Sequence, residues 1–80
     1  VRIAGPHVIG RTFPLVVANI IAPVLIKIAP SLSTACDQEL ILSGLLKKQE
    51  EAVRHAYSSF EVMERHTRND WVILYLRTLK

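Results

Sequence analysis

Eighty residues suffice for one domain at most, and a chain this short buries only about 60% of the surface that its unfolded form exposes. Half of the residues are hydrophobic and 21% are charged, a composition typical of a folded globular protein and unlike that of a disordered one. The net charge is +3, and the basic residues do not cluster. We therefore expect no direct binding to nucleic acid.

The cysteine content and the apolar stretches indicate the cellular compartment of the protein and whether it could cross a membrane. Cys36 is the single cysteine, so an internal disulfide and a thiolate metal cluster are both excluded, and we expect a reducing, cytoplasmic setting. Residues 12–36 contain one charge, Lys27, and are long enough to cross a bilayer. Three prolines and Asn19 interrupt that stretch, which makes a membrane segment the least favoured alternative.

The chain begins with Val1 and an apolar run, so we expect it to be part of a longer protein, with a strand and a loop over residues 1–12. Residues 15–20 form a continuous apolar run, too short for a helix, which predicts a parallel strand buried on both faces. Pro23 suits the first turn of a following helix, and Pro30 should shorten or kink that helix.

A second compact apolar run, residues 40–42, predicts another buried strand that is closed by a turn at Ser43-Gly44. A helix is predicted over residues 46–58. In that helix Glu50 with Arg54, and Glu51 with His55, lie four residues apart, which indicates a solvated face.

Two alternating runs close the chain, residues 60–65 and 71–76, with turn-forming residues at 67–70 between them. They predict an antiparallel hairpin. The whole chain is thus expected to be α/β, with parallel strands and crossover helices first and the hairpin last. Within it, residues 13–58 form a strand-helix-strand-helix unit and residues 59–80 the hairpin.

In an open α/β sheet, ligands bind beyond the carboxyl ends of the parallel strands. Asn19 lies at the end of the first clear strand, although asparagine is uncommon in strands. It could simply cap the next helix or adopt a turn conformation. Alternatively, its side-chain oxygen could accept a hydrogen bond from a substrate amine and turn the nitrogen lone pair toward an electrophilic methyl group, since methyl transfer depends mainly on orientation.

A set of residues in order along the chain carries a family resemblance that covers roughly residues 13–76. It comprises residues 15–22, Leu25, residues 28–30, Leu32, residues 41–46, Gln49, Val53, Ala56, Tyr57, Trp71 and Val72. In order and spacing this set resembles the bacterial methyltransferases that modify ribosomal protein eleven of the large subunit.

The resemblance implies the C-terminal part of a Rossmann-like class I methyltransferase, which transfers methyl from S-adenosylmethionine to lysine and N-terminal amines of a ribosomal protein. It implies that Asn19 is catalytic and, with Ala18, binds the cofactor. The residues expected near the substrate are Ile20, Ser43, Gly44, Leu45 and Trp71.

The family's glycine-rich loop and ribose-binding acidic residue should precede Val1, and neither Gly5 nor Gly10 forms a substitute. We therefore expect the chain to need the missing N-terminal half of the domain as its partner and to be inactive alone. A non-catalytic α/β remnant or interaction module is the alternative.

Two segments depart from the family pattern at the amino ends of strands, where they should affect stability more than chemistry. The family's acidic residue is replaced by Pro14, and its Pro-Gly-Gly turn by residues 36–38. No metal site is expected, because His7, His55 and His66 lack ligand spacing with one another and with Cys36.

Overall fold

The computed structural model describes residues 2–3 and 12–79. Five strands form one mixed sheet in the order β1-β2-β3-β5-β4. The elements are β1 (Arg2–Ile3), β2 (Phe13–Asn19), α1 (Ala22–Lys27), α2 (Ala29–Ala35), β3 (Cys36–Leu46), a 3₁₀ turn (Lys47–Gln49), α3 (Glu50–Ala56), β4 (Phe60–Arg68) and β5 (Trp71–Thr78). The first three strands run parallel, and β5 is antiparallel to both β3 and β4. The predicted α/β order is confirmed.

One face of the sheet carries the core. Val16 and Ala18 of β2 are buried in the same apolar cluster as Leu25 of α1 and Val53 of α3, and α1 also contacts α3. Leu15, whose side chain points to the opposite face, is 41% exposed. The prediction that this strand is buried on both faces is therefore wrong, because the described helices cover only one face.

The proline-induced break in the first helix is confirmed. Pro23 lies in the first turn of α1 and Pro30 in the first turn of α2, with Ile28 between the two helices. Pro30 has no N–H to continue the hydrogen-bond ladder of α1, so the helix ends and a new one begins. A hydrogen bond of 2.7 Å from the buried Tyr57 hydroxyl to the Leu25 carbonyl fastens the end of α1 to the residue that follows α3.

Strand β3 is much longer than the predicted run of residues 40–42. It spans eleven residues and continues through Ser43 and Gly44, where we predicted a closing turn. That prediction is wrong because Ser43 and Gly44 form a bulge: the pairing with β5 shifts between Leu42 and Leu45 and then resumes.

The second predicted helix consists of the 3₁₀ turn and the shorter α3. We predicted that Glu50 lies on a solvated face, and that prediction is wrong because Glu50 is buried. Its carboxylate accepts hydrogen bonds of 2.8 and 2.7 Å from Arg65 Nε on β4, and Arg54 Nη1 lies 3.5 Å away. A buried carboxylate needs a partner of opposite charge, and the hairpin supplies it. Glu51 and His55 are exposed, in line with the prediction for that pair.

The closing hairpin is confirmed, with a turn of two residues at Asn69 and Asp70. Asn69 has φ +56°, a left-handed conformation that asparagine tolerates better than most residues. The Lys47 amide donates a 2.8 Å hydrogen bond to the Asp70 carbonyl, which ties the turn to the chain after β3.

Both departures from the family pattern fall in strands. Pro14 lies in β2, where the pairing with β3 is irregular between Phe13 and Leu15, so its missing N–H interrupts little. Residues 36–38 are the first residues of β3 and follow α2 directly, so they do not form a turn.

Of the predicted N-terminal strand and loop, β1 is observed, while residues 4–11, with Gly5, His7 and Gly10, lie outside the described residues. Across residues 2–3 and 12–79, no helix has the length and apolarity needed to cross a membrane. In the same part of the chain, His, Cys, Asp and Glu side chains form no group of three that could hold a metal ion.

Candidate functional site

An open cavity of about 410 Å³ lies where the parallel strands β2 and β3 end. Asn19, the last residue of β2, pairs in register with Ser43 of β3, so two polar side chains meet at this edge. The lining residues are Asn19, Ile20, Ile21, Ser43, Gly44, Trp71, Val72 and Ile73. The structure thus brings together five of the predicted site residues, Asn19, Ile20, Ser43, Gly44 and Trp71.

The other two predicted residues are not among the lining residues. Ala18 and Leu45 are completely buried, and both belong to the apolar core cluster. Ala18 faces that core because its side chain alternates with that of Asn19 along β2. Leu45 packs in the core because the bulge at Ser43 and Gly44 adds one residue to β3 and so turns Leu45 to the same face as Leu42.

Asn19 is exposed, and its side chain takes part in a cross-strand contact. Ser43 Oγ lies 3.1 Å from Asn19 Oδ1 and donates the hydrogen bond. Next to it, the Ile20 amide donates a 3.1 Å hydrogen bond to the Ser43 carbonyl. These two contacts join the ends of β2 and β3 at the cavity.

The structure shows neither of the two local roles considered for Asn19, which were to cap the next helix and to adopt a turn conformation. The residue that precedes α1 is Ile21, and this helix start has no side-chain cap. Among the described non-glycine residues, Asn69 alone has a positive φ, so Asn19 does not occupy a left-handed turn. With both alternatives removed, the oxygen of Asn19 remains a hydrogen-bond acceptor at the edge of the cavity.

Gly44 makes this arrangement sterically possible. Its φ is +91°, and a Cβ added there would lie 2.8 Å from the Ile20 carbonyl oxygen and 3.1 Å from Asn19 Oδ1. A side chain at this position would collide with the backbone of the neighbouring strand end. We missed the bulge in the sequence, where a glycine inside an apolar strand was the available signal.

Apolar side chains form the other walls. Trp71 begins β5 and is 53% exposed, and Ile73 on the same face of that strand is 45% exposed. Ile21 is also exposed. Sequence reasoning identified Trp71 but missed Ile21 and Ile73, although Ile73 shares the alternation of Trp71 and Ile21 adjoins Ile20.

The cavity is electrically neutral. Its lining, taken from the described residues, contains no ionisable side chain. Such a site can bind by apolar contact and orient a ligand through neutral acceptors, but it offers no side chain for acid–base chemistry. Its chemical capacity therefore lies in positioning.

The charged cluster of the molecule lies elsewhere. Lys47, Glu50, Glu51, Arg54 and Arg65 surround a depression of about 470 Å³. The hydrogen bond from Arg65 holds the pKa of Glu50 below its ordinary value of 4.5, against the effect of burial. Because the buried carboxylate is paired by arginines, we assign this cluster a structural role.

The fold and this strand-end site define the class of protein. The chain superimposes on the crystal structure of a ribosomal protein L11 methylase from Lactobacillus delbrueckii subsp. bulgaricus, with a TM-score of 0.82 and 26% identity. The superposition covers 88% of this chain and 38% of that one. The mixed sheet is therefore part of a methyltransferase fold, as predicted.

The family follows from the sequence match. Residues 3–78 match the family model described as ribosomal protein L11 methyltransferase (PrmA), and the chain belongs to that family. The resemblance inferred from the residue pattern is thereby confirmed.

Individual relatives agree with this assignment. The ribosomal protein L11 methyltransferase of Helicobacter pylori (strain Shi470) is 41% identical over 68 residues, which are 84% of this chain and 20% of the relative. That of Agrobacterium fabrum (strain C58) is 46% identical over 69 residues, 81% of this chain and 24% of the relative. The chain thus spans about a fifth to a quarter of the length of these relatives.

Proposed function

We propose that this chain supplies the amine-orienting wall of an S-adenosylmethionine-dependent protein methyltransferase that modifies lysine and N-terminal amines of a ribosomal protein. The observation that carries the proposal is the position of Asn19 Oδ1, an uncharged acceptor at the carboxyl ends of β2 and β3, beside an apolar cavity. A cytoplasmic location accords with a ribosomal substrate and with a single cysteine.

The chemistry of the site suits this reaction. Bound S-adenosylmethionine would supply a methyl group attached to a positively charged sulfur. The thioether that remains is a good leaving group. The protein therefore needs to orient a neutral amine and needs no strong acid or base. Asn19 Oδ1 can accept an amine N–H, and no ionisable group among the described lining residues competes for the proton. Asn19 would touch both the amine and the cofactor, with Ala18 supporting that strand end from the core.

The apolar walls supply the remaining contacts of this site. Trp71 and Ile73 present exposed apolar surface at its rim, suited to the aliphatic stem of a lysine. Ile20, Ser43 and Gly44 complete the lining next to Asn19.

The rest of the methyltransferase domain would be the partner of this chain. The relatives are four to five times longer than the segment matched here, since it covers 20% and 24% of them. The face of the sheet that the helices leave uncovered includes Leu15, which is 41% exposed. We propose that the N-terminal half of the domain covers this face, provides the glycine-rich cofactor loop, and is needed for activity.

A reconstitution experiment tests this function with the chain as it is. The Lactobacillus relative is prepared without the segment that this chain matches and is then mixed with the 80-residue chain, ribosomal protein L11 and labelled S-adenosylmethionine. We expect methyl incorporation with both pieces and none with either alone. Asn19→Ala should reduce turnover by about 100-fold, because misplacing a reactant is costly at that scale.

Gln38→Ala is the matched control, since it removes an exposed carboxamide at the opposite end of β3. Full turnover by the Asn19→Ala chain would refute the role of Asn19. A folded mixture without any methyl transfer would instead favour the non-catalytic remnant. Calorimetric titration completes the test: micromolar binding of S-adenosylmethionine by the chain alone would contradict the need for the N-terminal half.

A further inference from the structure

The orientation of the Asn19 carboxamide decides what the site can bind. A carboxamide presents an acceptor oxygen on one side and a donor NH₂ on the other, and rotation of the group exchanges them. An oxygen directed at the ligand accepts an amine N–H, whereas an NH₂ group in that place repels it. Some feature of the fold must therefore hold the oxygen in place.

Ser43 is the first such feature. Its hydroxyl donates to Asn19 Oδ1 at 3.1 Å, so in this structure the carboxamide oxygen is the atom next to Ser43. A hydroxyl has one proton, and here it is committed to Asn19. Ser43 Oγ can therefore offer only lone pairs to a further partner, while Asn19 Oδ1 keeps a second lone pair.

Gly44 is the second feature. The bulge brings its backbone close to the end of β2: a Cβ added to Gly44 would lie only 3.1 Å from Asn19 Oδ1 and 2.8 Å from the Ile20 carbonyl oxygen. The absence of a side chain leaves the Asn19 oxygen uncrowded at this point. The positive φ of Gly44 is the conformation that the bulge requires at this point.

We propose that Ser43 and Gly44 are positioning residues that hold the Asn19 carboxamide with its oxygen toward the ligand. They thereby create a pair of acceptor oxygens, Asn19 Oδ1 and Ser43 Oγ. Both oxygens offer lone pairs, so a neutral amine can donate an N–H to this pair and keep its own lone pair free. This inference rests on the proposed function, but its structural half can be tested without cofactor or substrate.

The test is NMR spectroscopy of the isotope-labelled 80-residue chain. In the wild type we expect one orientation of the Asn19 carboxamide, with Oδ1 next to Ser43 and Nδ2 turned away. The Nδ2 protons should then show cross-relaxation to groups other than the Ser43 side chain. In Ser43→Ala the Asn19 ¹³Cγ resonance should shift upfield, and the minor orientation should gain about five-fold in population, the equivalent of one lost hydrogen bond.

Two further variants separate positioning from general effects on folding. Ser43→Thr keeps the hydroxyl and should restore the wild-type resonances. Ser58→Ala removes a hydroxyl from an exposed turn and should leave Asn19 unchanged. Gly44→Ala should displace the carboxamide, and if it does not fold, Ser43→Ala still decides the question.

In the reconstituted enzyme, Ser43→Ala should lower kcat about five-fold with KM for the protein substrate unchanged. The inference is overturned if the Asn19 signals are the same in Ser43→Ala as in the wild type, or if the wild-type Nδ2 protons lie against Ser43. Loss of methyl transfer in every reconstituted sample, together with the expected NMR result, would refute the proposed function and leave the positioning intact.

Discussion

Arg65 on β4 donates a hydrogen bond that is shared by both carboxylate oxygens of Glu50 on α3. Its Nε lies 2.8 Å from Oε1 and 2.7 Å from Oε2. The carboxylate is buried, whereas the Arg65 side chain is nearly half exposed. The pair connects the last helix to the edge strand of the sheet. Its contribution can be isolated, because both partners lie away from the cavity at Asn19.

Glu50→Gln should destabilise the chain by about 1–3 kcal/mol, since a charge-assisted hydrogen bond at a buried position is lost. Urea denaturation measures the change in the free energy of unfolding. Glu51→Gln, which removes the same charge from an exposed position of the same helix, should alter it by no more than about 0.5 kcal/mol. Equal effects of the two substitutions would show that the pair with Arg65 does not stabilise the fold.

Stability should also depend on pH through Glu50. Its folded pKa is held below 4.5 by the hydrogen bond from Arg65. A carboxyl group with a depressed folded pKa stabilises the protein fully above its unfolded pKa and loses that contribution as the pH falls through the folded pKa. The difference in unfolding free energy between the wild type and Glu50→Gln should therefore be constant from pH 7 to about 5 and shrink below that. A difference that grows on acidification would contradict this.

Tyr57→Phe should cost about 1–3 kcal/mol, because the Leu25 carbonyl loses a buried donor. Tyr75→Phe, at a half-buried position of β5, is the matched control and should have a smaller effect on thermal unfolding. Burial also raises the pKa of Tyr57 above its ordinary value of 10.0. Its phenol should thus ionise only as the chain unfolds at alkaline pH, and ionisation of Tyr57 in the folded chain near its ordinary pKa would refute its burial.

Asn69 tests the hairpin turn. Its φ of +56° is costly for a residue with an ordinary side chain, so Asn69→Ala should lower the free energy of unfolding by about 1–2 kcal/mol. Asn69→Gly, which adopts this conformation without strain, should be close to neutral. Differential scanning calorimetry of the two variants makes the comparison. Alanine and glycine giving the same melting temperature would mean that the turn is not strained.

The sequence predicted the features that depend on neighbouring residues. Pro23 and Pro30, seven positions apart, marked the break between α1 and α2, and the strict alternation of residues 71–76 marked a strand of the hairpin. Asn19 and Ser43 were found because a parallel sheet brings consecutive strand ends together, wherever the strands lie in the chain.

Features that depend on distant partners could not be predicted in this way. The burial of Glu50 is decided by Arg65, fifteen positions further along and on another element. Gly44 was a local signal of a bulge, but the position of the bulge depends on the register of β3 against β5. The exposure of Leu15 depends on what covers the second face of the sheet. The apolar run of residues 15–20 carries no information about that.

The strand order has a consequence for synthesis of the chain. β5 follows β4 in sequence but inserts between β3 and β4, and it is the strand to which both are hydrogen-bonded. Until β5 has left the ribosome, β4 has no hydrogen-bonding partner, and β3 presents an open edge. The nascent chain therefore passes through a stage in which the apolar strand β3 has an unpaired edge, when it is most open to aggregation and to chaperone capture.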